Sequence, residues 1–270
     1  MMKKFSSLFL LIGSLAFGQM NDVELNNLKD APKSIEESNS KAIIRANIIE
    51  DYIQEYHTKT SYNSKGKITK IEHYSTNGDL AFTENYTYSD DGKLIVIEGI
   101  NPDETLSIIK DYEYNSQGYK EITSENEIIV KEIEYIVDDQ NNVISEKELV
   151  YNQGNQLTER FHTYKDKKLV QSKVVYGKDG HFISYKYDAK GLAIEEVLTD
   201  LKNKPISKKR RKYDENNNIV EENLYDSNGR LKTNNRILYQ FDEKGNWNKR
   251  TQYANQLEEP ISNTIRTIRY

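Results

Sequence analysis

Cysteine is absent from this 270-residue chain, and histidine is scarce. Without cysteine the chain forms no disulfide, no thiolate metal site and no lipid attachment at a cysteine. The histidines, His57, His73, His162 and His181, are isolated in the sequence, with no second histidine at ligand spacing. A zinc site needs about three or four converging nitrogen or sulfur ligands. The sequence therefore predicts no metal and no cofactor, and the histidines are interpreted as sheet-surface residues.

Motifs of common enzyme chemistry are also missing. The chain has no Gly-x-Ser-x-Gly elbow, no phosphate-binding glycine loop and no dinucleotide fingerprint. No acid pair stands out among 43 Asp and Glu residues, which leaves a carbohydrate hydrolase as a minor alternative. The acidic turns at residues 89–92 and 137–142 offer fewer side-chain oxygens than the roughly six to eight that calcium takes. We predict a non-enzymatic protein with no catalytic residue.

Long apolar runs are confined to the first residues. Two lysines precede an apolar run from Phe5 to Phe17, and small residues come before Gln19. This pattern is typical of a secretory signal peptide, here residues 1–18. The run is shorter than the roughly 20 residues that a membrane-spanning helix needs. We therefore expect an exported protein, periplasmic or extracellular, with no transmembrane segment after signal cleavage.

An excess of positive charge is lacking too, since the formal net charge is -5. Nucleic acid is therefore not expected as a partner. Hydrophobic residues make up only 36% and charged residues 30%, a balance that would suggest disorder. The aromatic share of 10%, mostly tyrosine, is too high for a disordered chain. A sheet with one Tyr/Ile/Val face and one Glu/Lys face accounts for both observations.

A short repeated pattern is what the chain has in abundance. Between Tyr213 and Trp247, an aromatic residue, Asp, two or three polar residues and Gly or Asn follow one another three times. Asp bonds to its own turn backbone and Gly or Asn tolerates positive φ, so the pattern predicts hairpin turns. The predicted turn-defining glycines are Gly66, Gly78, Gly92, Gly118, Gly180, Gly191, Gly229 and Gly245. The spacing of 12 residues from Tyr213 to Tyr225 leaves about eight residues per strand.

The pattern continues over most of the chain. Intervals of 26 residues, such as Tyr88 to Tyr114, hold alternative turns near Asn101 and Asn203. We predict an all-β fold, an antiparallel β-meander of roughly 14 to 18 strands in a twisted or partly wrapped sheet. Residues 62–270 form the YD-like repeat array, and residues 19–61 lead into it within one continuous domain. Apolar residues at helical spacing leave either a short helix or a strand over residues 42–56.

Residues 208–212 form the one block of like charge, Lys-Lys-Arg-Arg-Lys. Two interpretations remain open for it. The block contacts anionic lipid or polysaccharide, or it belongs to a cross-strand charge ladder. In the ladder, a turn centred on Asn216 places Arg211 opposite Glu221 and Arg210 opposite Glu222.

Three segments carry a family resemblance. YDSNGRL at 225–231, YDAKGLA at 187–193 and FDEKGNW at 241–247 resemble the Rhs/YD repeat, whose signature is Tyr-Asp, two variable residues and Gly. The chain is similar to small exported Rhs-like repeat proteins of Gram-negative bacteria, which pair a segment like LKDAPKSIEE with a closing GNWNKRTQY. The resemblance implies an antiparallel sheet that twists or wraps on itself. The long arrays and self-cleaving core of large Rhs toxins are missing, so no toxin or protease role is implied.

The tyrosines suit either a thin core or a binding surface, because their rings pack while their hydroxyls stay hydrated. The candidate ligand or partner face consists of Trp247, Tyr253, Tyr239 and Phe241. We expect this face to bind an envelope component, a glycan or a protein, and the expected partner is an envelope protein or a polysaccharide. The alternative is a structural spacer or surface component without a specific ligand. The oligomeric state is not predicted by the sequence.

Overall fold

The computed structural model describes residues 28–46, 48–151, 154–254 and 257–270. The predicted signal peptide, residues 1–18, lies outside the described residues. These ranges contain strands and turns and no α-helix. In particular, they hold no helix of the length and apolar character that crossing a membrane requires.

Eighteen strands follow one another within the described residues. They are β1 (Ser34–Arg45), β2 (Ile48–Tyr62), β3 (Ile68–Tyr74), β4 (Leu80–Tyr88), β5 (Leu94–Ile100), β6 (Leu106–Tyr114), β7 (Gly118–Glu125), β8 (Ile128–Val137), β9 (Val143–Val150), β10 (Gln156–Lys165), β11 (Lys168–Tyr176), β12 (Asp179–Tyr187), β13 (Ala193–Asp200), β14 (Pro205–Tyr213), β15 (Ile219–Asp226), β16 (Leu231–Phe241), β17 (Trp247–Ala254) and β18 (Ser262–Arg269).

The strands close into a barrel. Each strand pairs antiparallel with the next, and β18 pairs back with β1 from Ser34↔Arg269 to Lys41↔Ser262. The all-β antiparallel meander is therefore confirmed, with 18 strands. The expectation of a twisted or partly wrapped sheet is corrected to a closed barrel. Pairing the first strand with the last satisfies the backbone groups that both edges of an open sheet would expose.

Within residues 42–56, where a short helix was one alternative, residues 42–45 lie in β1 and residues 48–56 lie in β2. Ala42 pairs with Tyr52, and Ile43 pairs with Asp51. Strand β2 pairs with β3 only from His57 onward. Residues 42–46 and 48–55 thus form a two-stranded ribbon, the β1–β2 ribbon, that extends beyond the paired part of β3.

One turn design connects many of the strands. Gly229 N donates to Asp226 O at 3.0 Å, and Asp226 Oδ1 accepts the N–H groups of Asn228 and Arg230, both at 2.9 Å. Gly229 has φ 77°, a left-handed conformation that costs most residues about 1 to 2 kcal/mol. This is a type I turn followed by a glycine bulge. The bulge shifts the register by one residue next to Tyr225.

Gly180 does not have the turn position predicted for it. The other predicted turn glycines have positive φ, namely Gly66, Gly78, Gly92, Gly118, Gly191, Gly229 and Gly245. Gly180 lies inside β12, and the turn is made by Gly177, with φ 61°, and Lys178. This hairpin therefore has a two-residue connection, which is shorter than the turn that the repeated pattern predicts.

The basic block forms a cross-strand ladder, but its register differs from the expected one. Arg211 faces Glu222 rather than Glu221, and its Nε donates to Glu222 Oε2 at 2.9 Å. Arg210 does not face Glu222. A bulge after Lys212 inserts one residue, which shifts each expected pair by one position.

Alternation along the strands produces an inner and an outer face. The inner face combines tyrosines with paired charges, and its members include Glu37, Tyr56, Glu84, Tyr112, Glu121, Tyr135, Glu146, Arg160, Arg211, Tyr239, Arg250 and Arg266. The outer face carries ion pairs such as Lys59–Glu72 at 3.4 Å. Buried apolar residues are few among the described ones, Ile35, Ile97, Tyr119, Ile133, Val143, Ile237 and Ala254. Hydrogen bonds and ion pairs therefore hold much of the inner wall.

The barrel has two ends. The terminal end carries residues 28–33, Tyr270 and the turns after the even-numbered strands from β2 to β16. The far end carries the β1–β2 turn and the turns after the odd-numbered strands from β3 to β17.

Candidate functional site

Three of the four predicted ligand-face residues meet at the terminal end. The ring centroids of Tyr239 and Trp247 are 6.0 Å apart in an edge-on arrangement, and those of Tyr239 and Phe241 are 6.2 Å apart. Tyr253 is not with them. It lies on the outer face, beneath the Arg236 guanidinium, which is 4.9 Å from the centre of its ring.

The β16–β17 hairpin places the aromatic residues together. Phe241 pairs directly with Trp247, because a bulge after Gln240 shifts the register beside the turn. Asp242 Oδ1 closes this turn by accepting the N–H groups of Lys244 at 3.0 Å and Asn246 at 2.9 Å. The local turn chemistry thus brings two large rings to the rim of the barrel.

A charged network supports Trp247 from the neighbouring strands. The Arg266 guanidinium lies 3.4 Å from the centre of the Trp247 ring, a cation–π contact. Arg266 also donates to Glu37, and the Tyr56 hydroxyl donates to Glu37 at 2.6 Å. Burial, followed by the charge of Glu37, raises the pKa of Tyr56, so this hydroxyl stays a donor at neutral pH. One ring face of Trp247 is therefore fixed by the β18–β1–β2 seam.

Asn246 joins the start and the end of the described chain at the same corner. Lys29 N donates to Asn246 Oδ1 at 2.7 Å, and Asn246 Nδ2 donates to Lys29 O at 2.9 Å and to the Tyr270 hydroxyl at 2.8 Å. The Tyr270 hydroxyl donates in turn to Asp242. Burial opposes ionisation of Asp242, but this bond and the turn N–H groups outweigh it and lower the pKa of Asp242.

A cleft of about 250 Å³ opens between this corner and the β14–β15 turn. Its walls are Leu28, Lys29, Glu215, Asn216, Asn217, Asn218, Phe241, Gly245, Asn246 and Trp247. Phe241 is exposed, and so are Glu215 and Asn217 across from it. Asn217 has φ 65° in the turn design described above. The cleft thus presents an aromatic surface on one side and amide and carboxylate groups on the other.

The tyrosines of the inner face form a regular series near the same end. Tyr213 OH donates to Ala193 O at 2.8 Å, and Tyr239 OH donates to Ile219 O at 3.2 Å. Each acceptor is the first residue of the immediately preceding strand. Tyr114 donates in the same way to Leu94 O at 3.0 Å, and Tyr187 donates to Leu169 O, of the second residue of β11, at 2.6 Å. These hydroxyls hold successive hairpins together.

A row of polar groups on the inner face has a different arrangement. His162 Nδ1 is 2.9 Å from Ser172 Oγ, and His162 Nε2 is 2.9 Å from Glu146 Oε1. A serine, a base and an acid are the parts of a nucleophilic site. The Ser172 side chain is buried, however, and the main chain around it is engaged in the strand ladders. We therefore interpret the contacts of these polar groups as hydrogen bonds that stabilise the barrel wall rather than as a nucleophilic site.

Sequence patterns did not predict Arg266, Glu37, Asn246 and Asn217 as members of the site. Glu37 and Arg266 are distant in sequence and face each other only because β18 pairs with β1. Asn217 belongs to the repeated turn pattern of residues 213–247, but that pattern does not mark it as a cleft residue. No group of three or more potential metal-ligating residues occurs within the described ranges.

No family model matches this chain, and no curated protein matches it. Among solved structures, the chain is similar to a porin-like protein from Bacteroides uniformis, with 9% identity, 89% of this chain and 97% of that one covered, and a TM-score of 0.46. A porin-like protein from Bacteroides vulgatus gives 13% identity, coverage of 87% and 97%, and a TM-score of 0.37. TcdB2-TccC3 without its hypervariable C-terminal region gives 12% identity and a TM-score of 0.34, over 82% of this chain and 15% of that one. These likenesses are distant and assign no family.

Proposed function

We propose that this chain is an exported, non-enzymatic barrel of the Rhs/YD repeat type that binds an envelope glycan in the Trp247 cleft. The YD-like segments support the repeat assignment, and residues 1–18 support export. The cleft is the observation that carries the binding proposal, because it sets the exposed ring of Phe241 beside Trp247 and opposite Asn217 and Glu215.

Sugar rings present both apolar C–H faces and hydroxyl groups. The aromatic side of the cleft can pack against the apolar C–H faces, and the amide and carboxylate side can form hydrogen bonds with the hydroxyl groups. Arg266 and the Asn246 corner hold the aromatic side in place before a ligand arrives. Such preorganisation lowers the entropy cost of binding.

The experiment compares two variants with two matched controls. Phe241→Ala removes the exposed ring, and Asn217→Gly removes the amide while keeping a residue that tolerates positive φ. The controls are Phe161→Ala, an exposed phenylalanine on the barrel wall, and Asn141→Gly, which has φ 62° in the β8–β9 turn.

Binding is measured as retention on immobilised peptidoglycan and on immobilised envelope polysaccharide fractions. We expect both cleft variants to lose at least tenfold in affinity, while both controls bind like the parent protein. Equal binding by cleft variants and controls, or no retention of a folded parent protein on any fraction, would contradict the proposal.

The second candidate is a structural spacer without a ligand. Ion pairs across the outer wall, such as Lys212–Glu221 at 2.8 Å and Lys120–Glu132, favour a hydrated and rigid exterior. Retention on none of the fractions, together with an intact fold, is the result that this candidate predicts.

A further inference from the structure

Exposed apolar side chains are concentrated at the far end of the barrel. They include Leu80, Leu106, Ile128, Tyr176, Ile206 and Leu231, with exposed fractions between 39% and 67%. Each lies at or beside a different far-end turn. Single exposed apolar residues are ordinary, but a set that follows one rim marks an interaction surface.

Charge on this rim is divided into two arcs. The acidic arc comprises the turns after β3, β5 and β7, with Asp79, Asp103, Glu104, Glu125 and Glu127 and no lysine or arginine. The basic arc comprises the turns after β11, β13 and β15, with Lys178, Lys202, Lys204, Arg230 and Lys232. Of the acids in the basic arc, Asp200 and Asp226 accept N–H groups of their own turns, Asp226 also pairs with Lys232 at 3.4 Å, and Asp179 is exposed beside Lys178.

The key charges are available to a partner. Glu104, Glu127, Lys178 and Lys204 are exposed, and none of them forms an ion pair with another residue in the described part of the chain. Exposed charges of opposite sign on two arcs of one rim are complementary to the same rim of a second copy.

The strand order gives the two arcs a symmetric placement. The turn after β9 lies midway between them around the closed barrel. A twofold axis through this turn, perpendicular to the barrel axis, superposes the position of the turn after β5 on that after β13. The same rotation relates the turns after β7 and β11, and those after β3 and β15. Every acidic turn therefore meets a basic turn of a second copy.

We propose that two copies of this chain dock far end to far end about this axis, forming an isologous dimer. Such a dimer contains every contact twice, as closed twofold assemblies do. Glu104 lies opposite the partner's Lys204, and Glu127 lies opposite the partner's Lys178. The apolar rim residues are covered in the same contact, because they alternate with the charged turns.

The β1–β2 ribbon fits the same arrangement. It exposes Ile48 and Ile53, at 66% and 52%. A two-stranded ribbon of this kind is only marginally stable in water by itself. The twofold rotation brings the ribbon of each copy to the β17–β18 corner of the other, which shields these isoleucines. The dimer leaves the Trp247 cleft open at the opposite end, so this proposal does not depend on glycan binding.

The test is a charge swap measured by sedimentation velocity on the exported chain. We expect the parent protein to sediment as a dimer at low ionic strength and to dissociate as salt is added. Lys178→Glu/Lys204→Glu should weaken the association at least tenfold, and Glu104→Lys/Glu127→Lys should do the same. An equimolar mixture of the two variants should restore the dimer, because every contact is then complementary again.

A matched control carries Lys165→Glu/Lys190→Glu, two exposed lysines at the terminal end, and should dimerise like the parent. Circular dichroism checks that each variant is folded. A folded parent that stays monomeric at 100 µM protein and low salt would overturn the proposal. So would a mixture of the two far-end variants that remains monomeric, or a terminal-end control that dissociates as they do.

Discussion

At the residue scale, Glu37 holds the seam beneath the cleft. It accepts from Arg266 and from Tyr56, and its side chain is 19% exposed. Glu37→Ala leaves a guanidinium and a hydroxyl without their acceptor, and we expect a loss of about 2 kcal/mol in the free energy of unfolding. The matched control is Glu36→Ala, on the outer face, for which the loss should stay below about 1 kcal/mol. Urea unfolding measures both, and equal losses would contradict this role of Glu37.

Glu84 gives the inner wall a pH dependence. Burial favours its neutral form, but the His73 imidazole at 3.7 Å and the Tyr86 hydroxyl at 3.0 Å outweigh burial and hold the pKa of Glu84 below its ordinary value of 4.5. A carboxyl with a lowered folded-state pKa adds stability above its unfolded pKa and loses it as the pH falls. The difference in unfolding free energy between the parent and Glu84→Gln should therefore shrink below about pH 4.5. Urea unfolding from pH 7 to pH 3 measures it, and a constant difference would rule out this linkage.

At the element scale, tyrosine hydroxyls such as that of Tyr213 tie a terminal-end hairpin to the one before. Tyr213→Phe keeps the ring and removes the bond to Ala193 O, which should cost about 1 kcal/mol. Tyr74→Phe is the control, since Tyr74 lies on the outer face and contacts His57 by ring stacking, at 4.7 Å between centroids. Thermal unfolding compares the two. A larger effect at Tyr74 than at Tyr213 would argue against hydroxyl bonds as the link between hairpins.

The elements also show how far the sequence is informative. A turn such as 226–230 is predictable because its geometry depends on its own Asp and Gly. The strand register that pairs Arg211 with Glu222 could not be predicted to within one residue. The bulge that sets this register depends on the backbone conformation at Asn217. The helical spacing of apolar residues over 42–56 comes from closely spaced isoleucines in the two strands of a hairpin. Phe241 and Trp247, which line the aromatic side of the cleft, were among the residues selected from the sequence, whereas the residues of the opposite wall, from another hairpin, were not.

At the scale of the whole molecule, closure is the property that local sequence does not reveal. The β1–β18 pairing joins residues 34–41 to residues 262–269, and no local signal specifies it. Closure removes both sheet edges and places Arg266 against Glu37, so the cleft and the far-end rim both depend on it. A closed ring also couples every hairpin to all the others, in contrast to the nearly additive stability of an open array.

A disulfide across the seam tests closure most directly, because the chain has no cysteine of its own. Asn39 and Thr264 face each other on β1 and β18, and Asn39 Nδ2 donates to Thr264 Oγ1 at 2.8 Å. We expect Asn39→Cys/Thr264→Cys to oxidise to an intramolecular disulfide in the folded protein, measured by mass spectrometry without reductant. Asn39→Cys/Thr233→Cys, with the second cysteine on β16, should remain reduced. Failure of the seam pair to oxidise, in a folded protein, would contradict the closed barrel.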